Sequence, residues 1–235
     1  MTRLSVFESA DEVAESATAR IGSAAFAAVT ARGRFLLGLS GGRTPQLLYR
    51  RLAAEVAEAA IDWSRVRIYF ADERAVGPDH PDSNFRMVRE TLIDPAGISM
   101  TSVYRMKGEY PDPAVAAAEY ESQITEALDV LVLGVGEDGH IASLFPRGAA
   151  LAERERRVAV VRDAPKLPAT RLTLTPRAIA EARLVLVLAT GGEKAPAVAA
   201  ALDAEGPLEE VPARLVRERN WLIDRAAGAL LKARG

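Results

Sequence analysis

The sequence predicts an α/β fold: a mainly parallel sheet with helices on both faces. Three observations predict it. Short apolar runs alternate with helix-length amphipathic segments along nearly the whole chain. The run Val130-Leu131-Val132-Leu133 is continuously apolar, as a strand covered on both faces must be. Glycines and charged residues collect just after such runs, where an open parallel sheet places its ligands.

The elements follow in order. An alanine-rich amphipathic segment from about Ala10 to Ala31 reads as a helix. Phe35 to Leu39 is a strand, followed by a glycine turn and a helix with Thr44 as cap and Pro45 at its first position. Val66 to Ala71 is a strand ending in charged residues. Ser83 to Ile93 is a helix capped by Asp82 or Ser83, and Pro113 to Leu128 is another. Asp129 to Gly134 is the buried strand. Val158 to Val161 and Arg171 to Thr175 are strands, the second leading into a short helix. Leu184 to Ala189 is a strand, a helix starts at Glu193, and Trp221 to Asp224 closes the pattern. The charge-dense stretch Leu151 to Arg157 reads as a solvated helix face. With no repeat or linker-like break, residues 1–235 read as one domain with right-handed crossovers.

Composition narrows the chemistry. Thirty basic and 32 acidic residues give a net charge of −2, which offers no general attraction to nucleic acid or to an anionic membrane. Any anion must be caught by a few local cations. The absence of cysteine excludes disulfides, thiolate metal sites and a cysteine nucleophile. No apolar run approaches the roughly 20 residues needed to span a bilayer, and the first thirty residues lack a signal-peptide pattern. The expected location is cytoplasmic.

Four clusters carry chemistry. In Ser40-Gly41-Gly42-Arg43-Thr44-Pro45, glycines let backbone approach a ligand and the helix start favours an anion; a plain tight turn with a capped helix is the competing reading. Arg43 tilts the balance, since a cation at a helix N-terminus opposes the dipole unless it has a negative partner. The same argument applies to Lys194 in Gly191-Gly192-Glu193-Lys194, against the alternative of a surface lysine paired with Glu193. Asp72-Glu73-Arg74 at a strand end is either a surface turn or a substrate-orienting group.

The strongest cluster is Gly134-Val135-Gly136-Glu137-Asp138-Gly139-His140, continuing to Pro146. Its Gly-x-Gly-x-x-Gly string does not read as a dinucleotide site. Glu137 and Asp138 would face the pyrophosphate, and Pro146 interrupts the helix that should follow. His140 follows a buried strand, with Asp138 close enough to orient it, and histidine is suited to take and return a proton near neutrality. His80, in a polar loop beside Pro81, reads as exposed. No histidine–carboxylate set has metal-ligand spacing, so a metal site is unsupported, and there is no Gly-x-Ser-x-Gly elbow.

In order and spacing these clusters resemble the 6-phosphogluconolactonase family, from the first glycine turn through Lys194. Gly134 to Pro146 is the most specific stretch, and Ser83-Asn84-Phe85 and Arg171-Leu172-Thr173 also match. The resemblance implies a Rossmann-like fold shared with glucosamine-6-phosphate deaminase and ribose-5-phosphate isomerase. It implies hydrolysis of a phosphorylated sugar lactone, with no cofactor, and a small-molecule substrate as the partner. His140 would be the base that activates water, with Arg74 and Lys194 on the phosphate. Gly41, Gly42, Arg43 and Thr44 would line the pocket, with Asp72, Asn84, Asp138 and Arg171 supporting. The related deaminases end the equivalent loop in Asn-Glu-Pro, whose glutamate moves protons. This chain has Leu144-Phe145-Pro146, and phenylalanine cannot do so. A non-catalytic sugar-phosphate sensor is the other alternative; such modules usually carry a DNA-binding segment, for which this chain has no spare length.

Overall fold

The computed structural model describes residues 3–54 and 61–232. Its centre is a six-stranded, all-parallel sheet in the order β1-β9-β8-β5-β2-β3. The strands are β1 (Arg3–Phe7), β2 (Phe35–Leu39), β3 (Val66–Phe70), β5 (Val130–Gly134), β8 (Leu184–Ala189) and β9 (Asn220–Asp224). Every residue of β2 and β9 is buried, as are the first four of β5, which explains their unbroken apolar character. A second, antiparallel sheet runs β4 (Asp72–Arg74), β7 (Arg171–Leu174), β6 (Val158–Val161).

The helices are α1 (Ala10–Arg32), α2 (Arg43–Ala54), α3 (Asn84–Val88), α4 (Pro113–Gln123), α5 (Pro176–Glu181) and α6 (Ala195–Leu202). Local chemistry sets their ends. The Ser9 hydroxyl accepts from Glu12 N at the start of α1, and Gly33 ends it in the left-handed region at φ 72°. Asp112 and Thr175 cap α4 and α5, each followed by a proline.

Several expectations shift. The second helix starts at Arg43, so Thr44 lies within its first turn and its hydroxyl meets that of Thr190 at 2.7 Å. The helix from Pro113 stops at Gln123, and the one expected from Ser83 becomes α3 plus a single π-turn, Arg89–Ile93. The stretch Leu151 to Arg157 is not a helix face. A 3₁₀ turn, Ala149–Ala152, gives way to a loop that runs into β6. Strand β1 was not legible; it is an edge strand whose side chains alternate only weakly in burial.

Strand β2 lies between β3 and β5. The chain leaves it for β3 on one side and later returns as β5 on the other, so the loops after β2 and β5 diverge and open a crevice at their carboxyl ends. Two buried tyrosines fix the strand ends beside it. Tyr49 of α2 donates to Ser40 O (2.8 Å) and accepts from Ser40 N (3.0 Å). Tyr120 of α4 does the same at Phe70 (2.9 and 2.7 Å). Burial pushes both phenols well above their ordinary range, so each stays protonated and can donate and accept at once. Ala71 joins the two sheets: its N–H donates to Leu39 O and its carbonyl accepts from Leu174 N, both at 2.7 Å.

Candidate active site

The turns after β2 and β8 and the loop after β5 meet around a cavity of about 660 Å³, walled on one side by β4, β7 and Asn84. Its position at the divergence of β2 and β5 is where strand order alone puts a ligand.

His140 is held by its own loop. Gly139, at φ +80°, lets the chain turn so that Gly136 N donates to His140 O at 2.8 Å. The Asp138 carboxylate accepts from His140 N (3.2 Å) and lies 2.5 Å from Nδ1. A carboxylate can only accept, so the neutral ring carries its proton on Nδ1, leaving Nε2 as a free lone pair. Among the described residues Nε2 has no hydrogen-bond partner, and His140 lines the cavity. Partial burial raises the Asp138 pKa, but the bond and charge of His140 outweigh it and hold the carboxyl at about 2. On its other side the imidazole meets the Phe145 ring, centroids 4.7 Å apart. The next residues are set by Ala142, a non-glycine at φ 49°, in a turn that Ser143 N fastens to Thr173 Oγ1 (3.1 Å).

Asp72-Glu73-Arg74 is strand β4, not a surface turn. Asp72 is buried; its Oδ2 accepts from Ser143 Oγ (2.7 Å) and its Oδ1 from Asn84 Nδ2 (3.1 Å). Glu73 faces away from the cavity and accepts from Arg74 N, Asn84 N, Phe85 N and Ser83 Oγ at 2.7–3.0 Å, closing the start of α3. Burial raises the Glu73 pKa, against the pull of those four donors. Asn84 is thereby locked in the cavity wall between Asp72 and the glycine turn.

The cations stand in two groups. Arg74 and Arg171 are directly opposed in the β4–β7 register. Neither has a carboxylate partner within salt-bridge distance among the described residues, although like charges facing each other repel. Burial, then the charge of Arg74, lowers the Arg171 pKa. Arg171 gives Nε to Pro168 O (3.1 Å) and an Nη to Lys166 O (2.9 Å), and its guanidinium lies over Phe145 at 5.3 Å. Lys194, also in the lining, ends the 3₁₀ turn before α6 and likewise has no acidic partner among the described residues. Arg43 does have one: it pairs with Glu193 at 2.9 Å and is 84% exposed. The buried Ser40 Oγ and Arg74 Nε, both on lining residues, have no partner atom. The site has cations and donors in excess of its acceptors, as a pocket for an oxygen-rich anion requires.

Residues 8–224 match the family described as glucosamine-6-phosphate isomerases/6-phosphogluconolactonase. The chain belongs to this family. It is 38% identical to the 6-phosphogluconolactonase of Homo sapiens, over 97% of this chain and 93% of that protein. It is 37% identical to that of Mycobacterium tuberculosis, over 97% and 98%. The solved 6-phosphogluconolactonase from Trypanosoma cruzi has a TM-score of 0.87 to it at 29% identity, covering 99% of this chain and 98% of that one.

Of the residues expected at the site, His140, Asp72, Gly41, Gly42, Arg43, Thr44, Arg74, Asn84, Arg171 and Lys194 all line this family member's cavity. Asp138 stands behind His140 rather than in the lining. Sequence reasoning missed Ser143, Lys166, Leu167, Thr190 and Asp224. Asp224 ends β9 and accepts from Gly191 N at 3.0 Å, fixing the glycine turn of Lys194. As a carboxylate just after an apolar strand it carried the signal that marked the other clusters. Lys166 and Leu167 reach the rim on a loop closed by Ala164 N to Ala169 O (3.0 Å), which no local pattern announces.

Proposed function

We propose that this chain hydrolyses 6-phospho-D-glucono-1,5-lactone to 6-phospho-D-gluconate, in the oxidative pentose phosphate pathway of the cytoplasm, as a single domain without a cofactor. The observation that carries the mechanism is His140: Nδ1 committed to Asp138, Nε2 unpaired, on the wall of a cation-lined cavity. Arg74 and Lys194 take the phosphate, with the N–H groups of the Gly41-Gly42 turn beside them. His140 Nε2 removes a proton from water as its oxygen attacks the lactone carbonyl carbon, and Asp138 stabilises the imidazolium that forms. Backbone N–H groups of the glycine turns stabilise the tetrahedral oxyanion. The imidazolium then returns its proton to the ring oxygen as the ester bond breaks. No covalent intermediate is needed, because the lactone is already reactive and positioning does much of the work.

The contact of Phe145 with His140 disfavours deaminase chemistry, since an apolar ring occupies the place of a second acid–base group beside the imidazole. The test is hydrolysis of freshly made lactone by wild-type and His140→Ala protein, with spontaneous hydrolysis subtracted. The expected loss in kcat is roughly 10²–10⁴-fold, with KM little changed. A fully active His140→Ala enzyme refutes the mechanism, and a wild type no faster than buffer refutes the substrate.

A further inference from the structure

Among the described residues only three buried side-chain nitrogen or oxygen atoms lack a hydrogen-bond partner. Two of them, on Ser40 and Arg74, belong to residues lining the cavity just described. The third, Arg34 Nε, belongs to a residue lining a second cavity of about 280 Å³. This cavity lies at the opposite edge of the sheet, where β2 and β3 begin: Arg34 directly precedes Phe35, Arg65 directly precedes β3, and Val66-Arg67 open it.

Its lining is basic and hydroxylic. Arg34, Arg65 and Arg67 converge with Ser64, Thr101, Ser102 and Tyr104, and no carboxylate is among the lining residues. Arg34 spends one Nη on Glu126 (2.6 Å). Asp62 feels the charge of Arg65 and accepts from Ser64 N and Oγ at 3.1 and 2.6 Å. Three arginines line one hollow, and like charges so gathered repel each other, in a chain whose acids outnumber its bases. The opposite wall is rigid: Tyr104 N donates to Ile68 O at 2.8 Å, and its ring stacks on Tyr69 at 4.8 Å. The Ser102 and Tyr104 hydroxyls make no hydrogen bond among the described residues and remain as donors.

We propose that this hollow is a second anion site, which takes a phosphate or diphosphate group. Guanidinium forks match the paired terminal oxygens of phosphate, and several forks with hydroxyl donors suit an oxyanion with three or more such oxygens better than a carboxylate. Ligand pockets for drug-sized molecules start at about 300 Å³, so the hollow admits a diphosphate or a small phosphorylated compound rather than a whole dinucleotide. Lying across the sheet from the lactone cavity, it can be filled while that cavity is occupied or empty, and it does not depend on the activity proposed above.

The probe is inorganic pyrophosphate at low salt, followed by backbone amide NMR. Saturable shifts are expected at Gly33, Val66, Ser102 and Tyr104, besides any at the glycine turns of the first cavity. In the Arg65→Gln/Arg67→Gln protein, which leaves the Arg34–Glu126 pair intact, affinity at those four amides falls at least tenfold. Shifts at the first cavity and the basal lactone turnover stay as in the wild type. Absence of saturable shifts at the four amides overturns the proposal, and so does their persistence at wild-type affinity in the double variant.

Discussion

Gly136→Ala tests the geometry around His140 without touching a titratable group. A Cβ at residue 136 would stand 2.6 Å from Asp138 Oδ1 and closer still to Nδ1 and Cε1 of His140. Ordinary contact begins at 3.4 Å, so the carboxylate must retreat by about 0.8 Å and the imidazole by more. The backbone at 136 is outside the left-handed region, so alanine adds no conformational strain and the strand before it is left alone. The whole cost falls on the His140–Asp138 pair. A misplacement of about 1 Å at a reacting group costs on the order of 10²-fold, and complete loss of a general base roughly 10²–10⁴-fold. The expected drop in kcat is therefore about 10²-fold, or roughly 3 kcal/mol of transition-state stabilisation, with a much smaller change in KM. The assay is lactone hydrolysis corrected for the spontaneous rate, in the single variant, in His140→Ala, and in the double variant. If Gly136 acts only by making room for the pair, the double variant is no slower than His140→Ala. Wild-type kcat in Gly136→Ala would refute the placement of His140, and a double variant ten times slower than His140→Ala would refute the claim that the glycine acts through it.

Asp138→Asn should lower kcat by roughly 10–10³-fold, because the amide neither fixes the Nδ1 proton nor stabilises the imidazolium. Asp138 titrates at about 2 in the wild type, so it stays ionised through the working range. Wild-type kcat in the asparagine variant would refute that role for Asp138. Lys194→Ala should raise KM at least tenfold and leave kcat within a few-fold, read from initial rates; the reverse pattern would move Lys194 from phosphate capture to the chemical step. Glu73→Gln should lower Tm by roughly 4–8 °C, seen in thermal unfolding, since the amide opposes an N–H to donors now facing a carboxylate and each orphaned donor costs about 1–3 kcal/mol. The raised Glu73 pKa means that burial favours the protonated acid. The wild type therefore loses stability as pH rises from the unfolded value through the folded one, and the glutamine variant lacks that dependence.

The parallel sheet was legible because a strand buried on both faces must be apolar throughout, and β2, β5 and β8 are. Strand β1 escaped since one neighbour and partial exposure leave little pattern. In the small antiparallel sheet β6 and β7 were legible as strands, but β4 escaped for a different reason. It reads Asp-Glu-Arg, and only pairing with Arg171–Leu174 nearly a hundred residues later makes a strand of three charges. Asp72 and Glu73 can be buried because each finds a partner that no local rule supplies: Ser143 for Asp72, and the start of α3 for Glu73.

The two wrong-end cations show what spacing can and cannot settle. Arg43 and Lys194 each sit where a helix dipole disfavours positive charge, and each had a bland alternative in the sequence. For Lys194 that alternative was its neighbour Glu193. In the fold Glu193 turns across the cavity mouth to Arg43, 150 positions away, at 2.9 Å. One carboxylate satisfies one of the two cations, and it takes the more exposed one. The pair is open to water, so it contributes little stability; its consequence is that Lys194 is left without a counter-charge beside the Gly191 turn. The local reading that would have made Lys194 ordinary is thus removed by a long-range contact. If Lys194 is held open with Arg74 for phosphate, Glu193→Gln frees Arg43 as a third cation and should lower KM for the phosphorylated lactone. A raised KM would mean that the Arg43–Glu193 pair itself shapes the pocket.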